Sequence, residues 1–259
     1  MRDNLLRHDG RTQLQMRPLR VECDIFEHAA ASVLYCCGKT KVLCAINIHN
    51  GVPQFLRGTG SGWLTAEYGM LPASTMVRTP REASTMRRNG RSVEISRVIG
   101  RVLRAVVQLE QLGEQTITID CDVLQADAGT RTASITAASM ALAMAQERWL
   151  REGIIAAPIM VDEVGAVSVG LLDGQPVVDP DYHEDKQMAA DLNFVVTRSG
   201  KMIEVQGGAE KEPISWQLFD QLRDGAMQGA AEIFAFIEAQ AARRLPPGTL
   251  AARIESSQP

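Results

Sequence analysis

Residues 115–132 read QTITIDCDVLQADAGTRT, and this stretch decides the fold. Gln115 to Leu124 is an apolar run that reads as a strand. Asp127-Ala128-Gly129-Thr130-Arg131-Thr132 follows and leads into a helix. A helix start exposes unpaired backbone N–H groups and the positive end of the helix dipole, and so attracts anions. Gly129 lets the backbone turn closely, Thr130 offers a hydroxyl, and Arg131 offers a planar fork that matches an oxyanion. The segment predicts a site for a small oxyanion, with phosphate the first choice.

The pattern extends in both directions. Thr132 to Gln146 is rich in Ala and Met and nearly apolar all round, which predicts a buried helix. Arg91 to Leu109 reads as an amphipathic helix, with Ile95, Val98, Ile99, Val102, Leu103, Val106 and Val107 on one face. Arg97, Arg101 and Arg104 fall on another face. Val21–Phe26, Ser32–Tyr35 and Lys41–His49 read as successive strands, with Gly38-Lys39-Thr40 as a turn. Gly51 to Gly62 is a glycine-rich loop, but no G-K-[ST] follows, so it is not a Walker loop.

Downstream, Val164–Leu172, Gln175–Val178, Asn193–Thr197 and Met202–Gln206 read as strands between Gly turns, and Pro213 to Ala239 as closing helical structure. Strands followed by helices, twice over, predict an α+β fold rather than a doubly wound parallel sheet. The expected organisation is one compact domain over residues 1–240, with mixed sheet-and-helix halves at about 10–150 and 158–240. Residues 241–259 are expected to form a flexible tail.

Composition narrows the class. In 259 residues, 45% are hydrophobic and 22% charged, as in an ordinary globular protein. No apolar run approaches the length of a membrane span, and Met1 to His8 holds no secretory core, so a cytoplasmic protein without membrane association is expected. The five cysteines lack any C-x-x-C spacing, which predicts reduced, buried thiols. A net charge of −4 gives no global pull toward nucleic acid, yet arginines number 22 against 5 lysines. Eight arginines fall between Arg78 and Arg104, either as a polyanion-binding face or as a solvated helix face.

Asp179-Pro180-Asp181-Tyr182-His183-Glu184-Asp185 is a second chemical centre. In an extended chain Asp179, Asp181, His183 and Asp185 point to one side, where the carboxylates repel unless a cation sits among them. All-oxygen ligation suits Mg²⁺ or Mn²⁺, while a solvated acidic loop is the plainer alternative. Asp191 lies close behind. No G-x-S-x-G elbow is present, and only four histidines are available, so a hydrolase triad has few candidates. A phosphate site, a divalent-metal site and a basic helix together fit phosphoryl chemistry on a polyanion. If bound phosphate is itself the nucleophile, no activated side chain is required.

Three stretches resemble the bacterial ribonuclease PH family. They are Gly62-Trp63-Leu64-Thr65-Ala66-Glu67-Tyr68-Gly69-Met70-Leu71-Pro72, Leu112 through Asp127 running on into Gly129-Thr130-Arg131-Thr132-Ala133-Ser134, and Ala166 to Gly170 with Tyr182, Glu184-Asp185 and Glu204-Val205-Gln206. The likeness covers roughly residues 10 to 240. It implies a fold like the second domain of ribosomal protein S5. It also implies a phosphorolytic 3′→5′ exoribonuclease that trims tRNA precursor tails, uses inorganic phosphate and releases nucleoside 5′-diphosphates.

Carried over, Arg91, Gly129, Thr130 and Arg131 hold phosphate, and Asp179 and Asp185 bind Mg²⁺ or Mn²⁺ as the catalytic pair, with Asp185 assisting proton transfer. Arg78 and Arg81 match arginines that grip tRNA, and Arg104 of the basic helix joins them as an RNA contact. The resemblance further implies a homohexamer, a trimer of dimers with RNA entering from a basic face. The chain departs from the family pattern at Ala73 (usually Arg), Ala128 (usually Gly), Lys186 (usually Ser), Ala190, Leu192 and Gly208 (usually Thr). Ala128 is expected to keep a negative φ, and Lys186 to compete partly with the cation. A non-catalytic RNA-binding ring subunit is the competing class; the retained Arg91, Thr130, Arg131, Asp179 and Asp185 favour the enzyme.

Overall fold

The computed structural model describes residues 6–85 and 89–244. Strands β1 (Leu19–Cys23), β2 (Ala31–Cys37) and β3 (Thr40–Asn50) form an antiparallel meander. Strand β4 (Trp63–Met70) leads through helices α1 (Glu82–Thr85), α2 (Gly90–Arg104) and α3 (Leu109–Leu112) to β5 (Gln115–Gln125). β5 pairs antiparallel with β3 and parallel with β4, giving the sheet order β1-β2-β3-β5-β4. The alternation of β5 sets its inner face: Ile117, Ile119, Cys121 and Val123 are buried, while Asp120 and Asp122 face outward.

Asn89 caps α2 by accepting from the Arg91 N–H, and the apolar stripe Ile95, Val98, Ile99, Val102 and Leu103 packs toward β4. The helix stops at Arg104, short of the expected Leu109. Its periodicity outlasts it because Val106 and Val107 stay buried in a different setting, Val107 bridging Met160.

Helix α4 (Thr130–Glu152) is the central element. It lies against β2 and β3 of the first sheet and β6 of the second, so residues 132–142 have no solvent face, and its polar side chains gather in the last turns, where Arg151 and Glu152 are exposed. Ala137, Ala138, Ala141 and Ala145 are fully buried and let the layers approach. Strand β6 (Val164–Leu172) pairs antiparallel with β7 (Gln175–Val178) only over Val169 to Leu172. The uncovered edge of β6 bonds to α4 instead: Thr136 Oγ1 accepts from the Ala166 N–H at 3.1 Å, and Ser139 Oγ from the Val164 N–H at 2.9 Å.

After β7 come α5 (Tyr182–Asp185), β8 (Ala190–Thr197) and β9 (Met202–Ala209), completing an antiparallel sheet ordered β7-β6-β8-β9. Helix α6 (Trp216–Arg244) covers β6, β7 and β8 with Leu222, Ala226, Ala230 and Ile233. The two-sheet α+β arrangement is the one expected. The helix runs four residues past the expected boundary at 240, and the rest of the expected tail, 245–259, lies outside the described residues. Among the described residues no helix is long and apolar enough to cross a membrane.

Candidate anion and cation site

The turn between β5 and α4 has the expected order but not the expected backbone. Ala128 takes φ +57 and Gly129 φ +63, so the left-handed region holds both. The expected negative φ at Ala128 is therefore wrong. For an alanine this conformation costs roughly 1–2 kcal/mol, and it persists because the surroundings dictate it. Thr40 Oγ1 donates to the Ala128 carbonyl at 2.7 Å and accepts from the Asp127 N–H at 3.0 Å. The Arg17 guanidinium donates to the Asp127 carbonyl. A Cβ on Gly129 would stand 3.3 Å from Thr132 Oγ1 and 3.4 Å from an Arg17 nitrogen, so this position stays tight.

Gly129 is the N-cap of α4, with no capping side chain and no acid in the first turn. The first N–H groups of a 23-residue helix are thus left for another acceptor. Thr130 is buried, and its Oγ1 accepts from the Tyr68 hydroxyl at 3.0 Å, leaving its own proton to donate. Burial pushes the Tyr68 phenol above its ordinary value, so it stays neutral.

Arg131 is more constrained than a free fork. One terminal nitrogen donates to Gln206 Oε1 at 2.5 Å and the other to Glu94 Oε2 at 2.7 Å. Its Nε–H is buried and has no partner. Among the described residues Ser74 Oγ, Gln115 Oε1 and Trp149 Nε1 share that condition, but Arg131 is the one that carries charge. A buried unmet donor costs about 1–3 kcal/mol, and more when charged, which points to an acceptor supplied from outside. Arg91 is exposed at the start of α2, and its charge reaches both Tyr68 and Asp185.

The acidic segment departs from the expectation. It is not extended: Tyr182–Asp185 forms one helical turn, with Asp181 and Glu184 in a reciprocal capping box. The alternation that placed four side chains on one side is therefore lost. Asp179 takes φ +51 and is buried. Arg17 claims both its oxygens: Nε at 2.9 Å and the backbone N–H at 2.8 Å on one, and a terminal nitrogen at 2.6 Å on the other. Cys37 Sγ adds a contact at 3.2 Å. Burial pushes this carboxyl up, but the Arg17 hydrogen bonds and charge outweigh it and hold Asp179 below the ordinary carboxylate value.

Asp179, expected as a metal ligand, thus meets four donors on its carboxylate, three from Arg17 and one from Cys37. Beside it, Arg7 grips Glu184 while donating to the Val178 and Asp179 carbonyls, and Arg11 donates to the Asp179 carbonyl at 2.9 Å. His8, Asp181 and Glu184 converge within 4.8 Å, but this cluster is bound up in the capping box and the arginine pairs.

Asp185 and Asp191 are different. Partial burial raises both, and each is pushed further by a neighbouring carboxylate, Asp185 by Glu210 and Asp191 by Asp185 and Glu210. Asp191 reaches about 6, and the charge of Arg131 only partly offsets the rise. Ser168 Oγ, at 3.4 Å, is the hydrogen-bond donor that Asp191 has. Carboxylates that repel and lack donors are the oxygen set that a hard divalent cation satisfies. Asp185 and Asp191 are the residues that would hold Mg²⁺ or Mn²⁺ here. Gly207, at φ +116, lets β9 close on this point: a Cβ there would lie 2.0 Å from the Asp191 carbonyl. The Lys186 ammonium rests 4.2 Å from the centre of the Tyr182 ring.

Arg104, expected as an RNA contact, is engaged within the chain. It donates to the Leu64 carbonyl at 2.8 Å and stacks 4.7 Å from the Trp63 ring centre. Arg78 and Arg81 are exposed in the segment between β4 and α2. Sequence reasoning missed Arg7, Arg11, Arg17, Thr40, Tyr68 and Glu94 as neighbours of the site; the D-x-x-E of Asp181–Glu184 was the one local signal that could have revealed α5.

Residues 15–147 match domain 1, and residues 162–229 domain 2, of the 3′ exoribonuclease family (RNase PH). The fold is similar to rice (Oryza sativa) Rrp46, with TM-score 0.72 and 18% identity over 90% of this chain and 99% of that one. It is similar to a chain of the Archaeoglobus fulgidus exosome with RNA bound to the active site, with TM-score 0.75 and 21% identity over 89% and 92%. An archaeal exosome core gives TM-score 0.73 and 20% identity over 90% and 91%. At these identities the structural likeness is one of fold.

Proposed function

The chain belongs to the 3′ exoribonuclease family, and on that premise we propose that it cuts RNA by phosphorolysis. Inorganic phosphate, held where β5 hands over to α4, attacks the terminal phosphodiester. A bond forms between a phosphate oxygen and the terminal phosphorus, the bond to the leaving 3′-oxygen breaks, and that oxygen takes up a proton. The products are a nucleoside 5′-diphosphate and an RNA one nucleotide shorter. The observation that carries this reading is the unmet, buried Nε–H of Arg131 beside an uncapped helix start.

In this reading Thr130, the first-turn N–H groups and Arg131 bind the phosphate, and Arg91 offsets its charge. Asp185 assists proton transfer to the 3′-oxygen. Asp185 and Asp191 would hold Mg²⁺ or Mn²⁺, which when bound neutralises charge around the phosphodiester. Asp179 keeps the two halves of the site in register through Arg17 rather than ligating a cation. The substrates are RNA 3′ ends, with tRNA precursors the first choice and Arg78 and Arg81 as contacts. The assembly proposed is a homohexamer, a trimer of dimers, working in the cytoplasm.

The test is product analysis on a short RNA with Mg²⁺, with and without inorganic phosphate. Nucleoside diphosphates that appear only with phosphate are the expected result. Monophosphates formed regardless of phosphate would overturn the proposal.

A further inference from the structure

Gln206 and Glu94 come from opposite halves of the chain and converge on one guanidinium. The amide orientation of Gln206 is dictated by its neighbours. Arg131 can only donate, so it meets Oε1; Glu204 can only accept, and it takes the Nε2 proton at 2.6 Å. Glu204 is held in turn by Arg101 of α2, through Nε at 3.0 Å and a terminal nitrogen at 2.5 Å. A polar chain therefore runs from α2 through β9 to the first turn of α4.

We propose that Gln206 and Glu94 are positioning residues that fix the two terminal nitrogens of Arg131, so that its remaining Nε–H is presented to the anion. This rests on the phosphate-binding role of Arg131 given above. A free arginine side chain loses rotamer freedom when it binds, and a guanidinium already held in place loses less of it.

The two partners differ in weight. The Arg131 side chain is 18% exposed, whereas that of Glu94 is 44% exposed. An ion pair so open to solvent contributes little, and the Glu94 charge also offsets part of the pull of Arg131 on an anion. Gln206 is neutral, half-buried and supported from behind by Glu204, so the orienting effect falls mainly on it.

The experiment uses the full chain and measures phosphorolysis of a short RNA at varied inorganic phosphate. Alongside it, the melting temperature is followed with and without phosphate. Gln206→Leu is expected to raise the KM for phosphate about tenfold with kcat changed less than threefold, and to lose most of the phosphate-induced rise in Tm. Glu94→Ala is expected to shift that KM about two- to threefold or less. If Gln206→Leu does not fold, Gln206→Ala takes its place under the same expectation. A Gln206 variant that lowers kcat or Tm at unchanged phosphate KM would show a merely structural role and overturn the inference. Arg131→Ala run in parallel separates the two claims. If it abolishes the phosphate response while the Gln206 variants behave as wild type, only the positioning role fails. If wild type and Arg131→Ala are alike indifferent to phosphate, the phosphate site itself is refuted, and the positioning role with it.

Discussion

Two clusters of charge lie side by side at the seam between the sheets, and they are built on opposite terms. One is sealed: Arg7, Arg11 and Arg17 meet Asp179 and Glu184 out of solvent, and every carboxylate oxygen has a guanidinium or backbone donor. The other is open: Asp185, Asp191 and Glu210 push against one another, and Arg131 keeps a donor without an acceptor. Buried charge that is fully paired fixes geometry, whereas charge left half-satisfied awaits a ligand. The contrast sets Asp179, bound to Arg17, apart from Asp185 and Asp191, whose carboxylates are raised by burial and by their acidic neighbours.

The largest effect should come from breaking the sealed cluster. Arg17→Ala strips buried Asp179 of its main guanidinium partner and should destabilise the chain by about 3–5 kcal/mol, a fall in Tm on the order of 10 °C by calorimetry. Replacing both partners, Arg17→Met with Asp179→Leu, should recover much of that loss. An Arg17→Ala protein as stable as wild type would remove the distinction between the clusters.

The open cluster should respond in the opposite sense. The folded-state value of Asp191 is raised from 3.8 to about 6, so the folded chain retains a proton that the unfolded chain has released. Its contribution to stability is therefore most favourable below the unfolded value and falls as pH rises through the window from about 4 to about 6. Asp179, held low, behaves oppositely: its contribution is present above the unfolded value and fades as pH falls below it. Asp191→Asn should stabilise the metal-free chain by on the order of 1–2 kcal/mol at pH 7.5, after allowance for solvent screening, and hardly at all at pH 4.5. Added Mg²⁺ should narrow the difference at pH 7.5. A stabilisation equal at both pH values would show that Asp191 is not strained by its neighbours.

The smallest effect belongs to the turn between the clusters. Ala128→Gly relieves a left-handed alanine at φ +57, which offsets the extra freedom of glycine in the unfolded chain. Denaturant unfolding should show a gain of no more than about 1 kcal/mol, with activity within twofold. A loss of stability would mean that the Thr40 and Arg17 contacts hold the alanine without strain.

Much of this arrangement is legible in residue order. The β5–turn–α4 unit, the hairpin strands and the second sheet follow from periodicity and glycine placement, because those signals are local. What escapes is long-range. Arg17 reaches Asp179 across 162 positions, and nothing near either residue announces the pairing. Asp181 and Glu184 carry a local capping signal, but the density of acids in that segment suggests a ligand set more readily than a helical turn. Arg101 and Arg104 share a helix face with Arg97 in sequence; only the folded chain shows Arg101 paired with Glu204 and Arg104 laid on Trp63. The Arg131 fork is correctly located by its turn, yet its two engaged nitrogens come from elements 37 and 75 residues away.

The most direct test of the open cluster is a crystal structure obtained in the presence of inorganic phosphate. The anion should accept hydrogen bonds from the first-turn N–H groups of α4, the Thr130 hydroxyl and the Arg131 Nε–H. A well-ordered turn with no anion, and an Arg131 Nε–H still without an acceptor at saturating phosphate, would contradict the account.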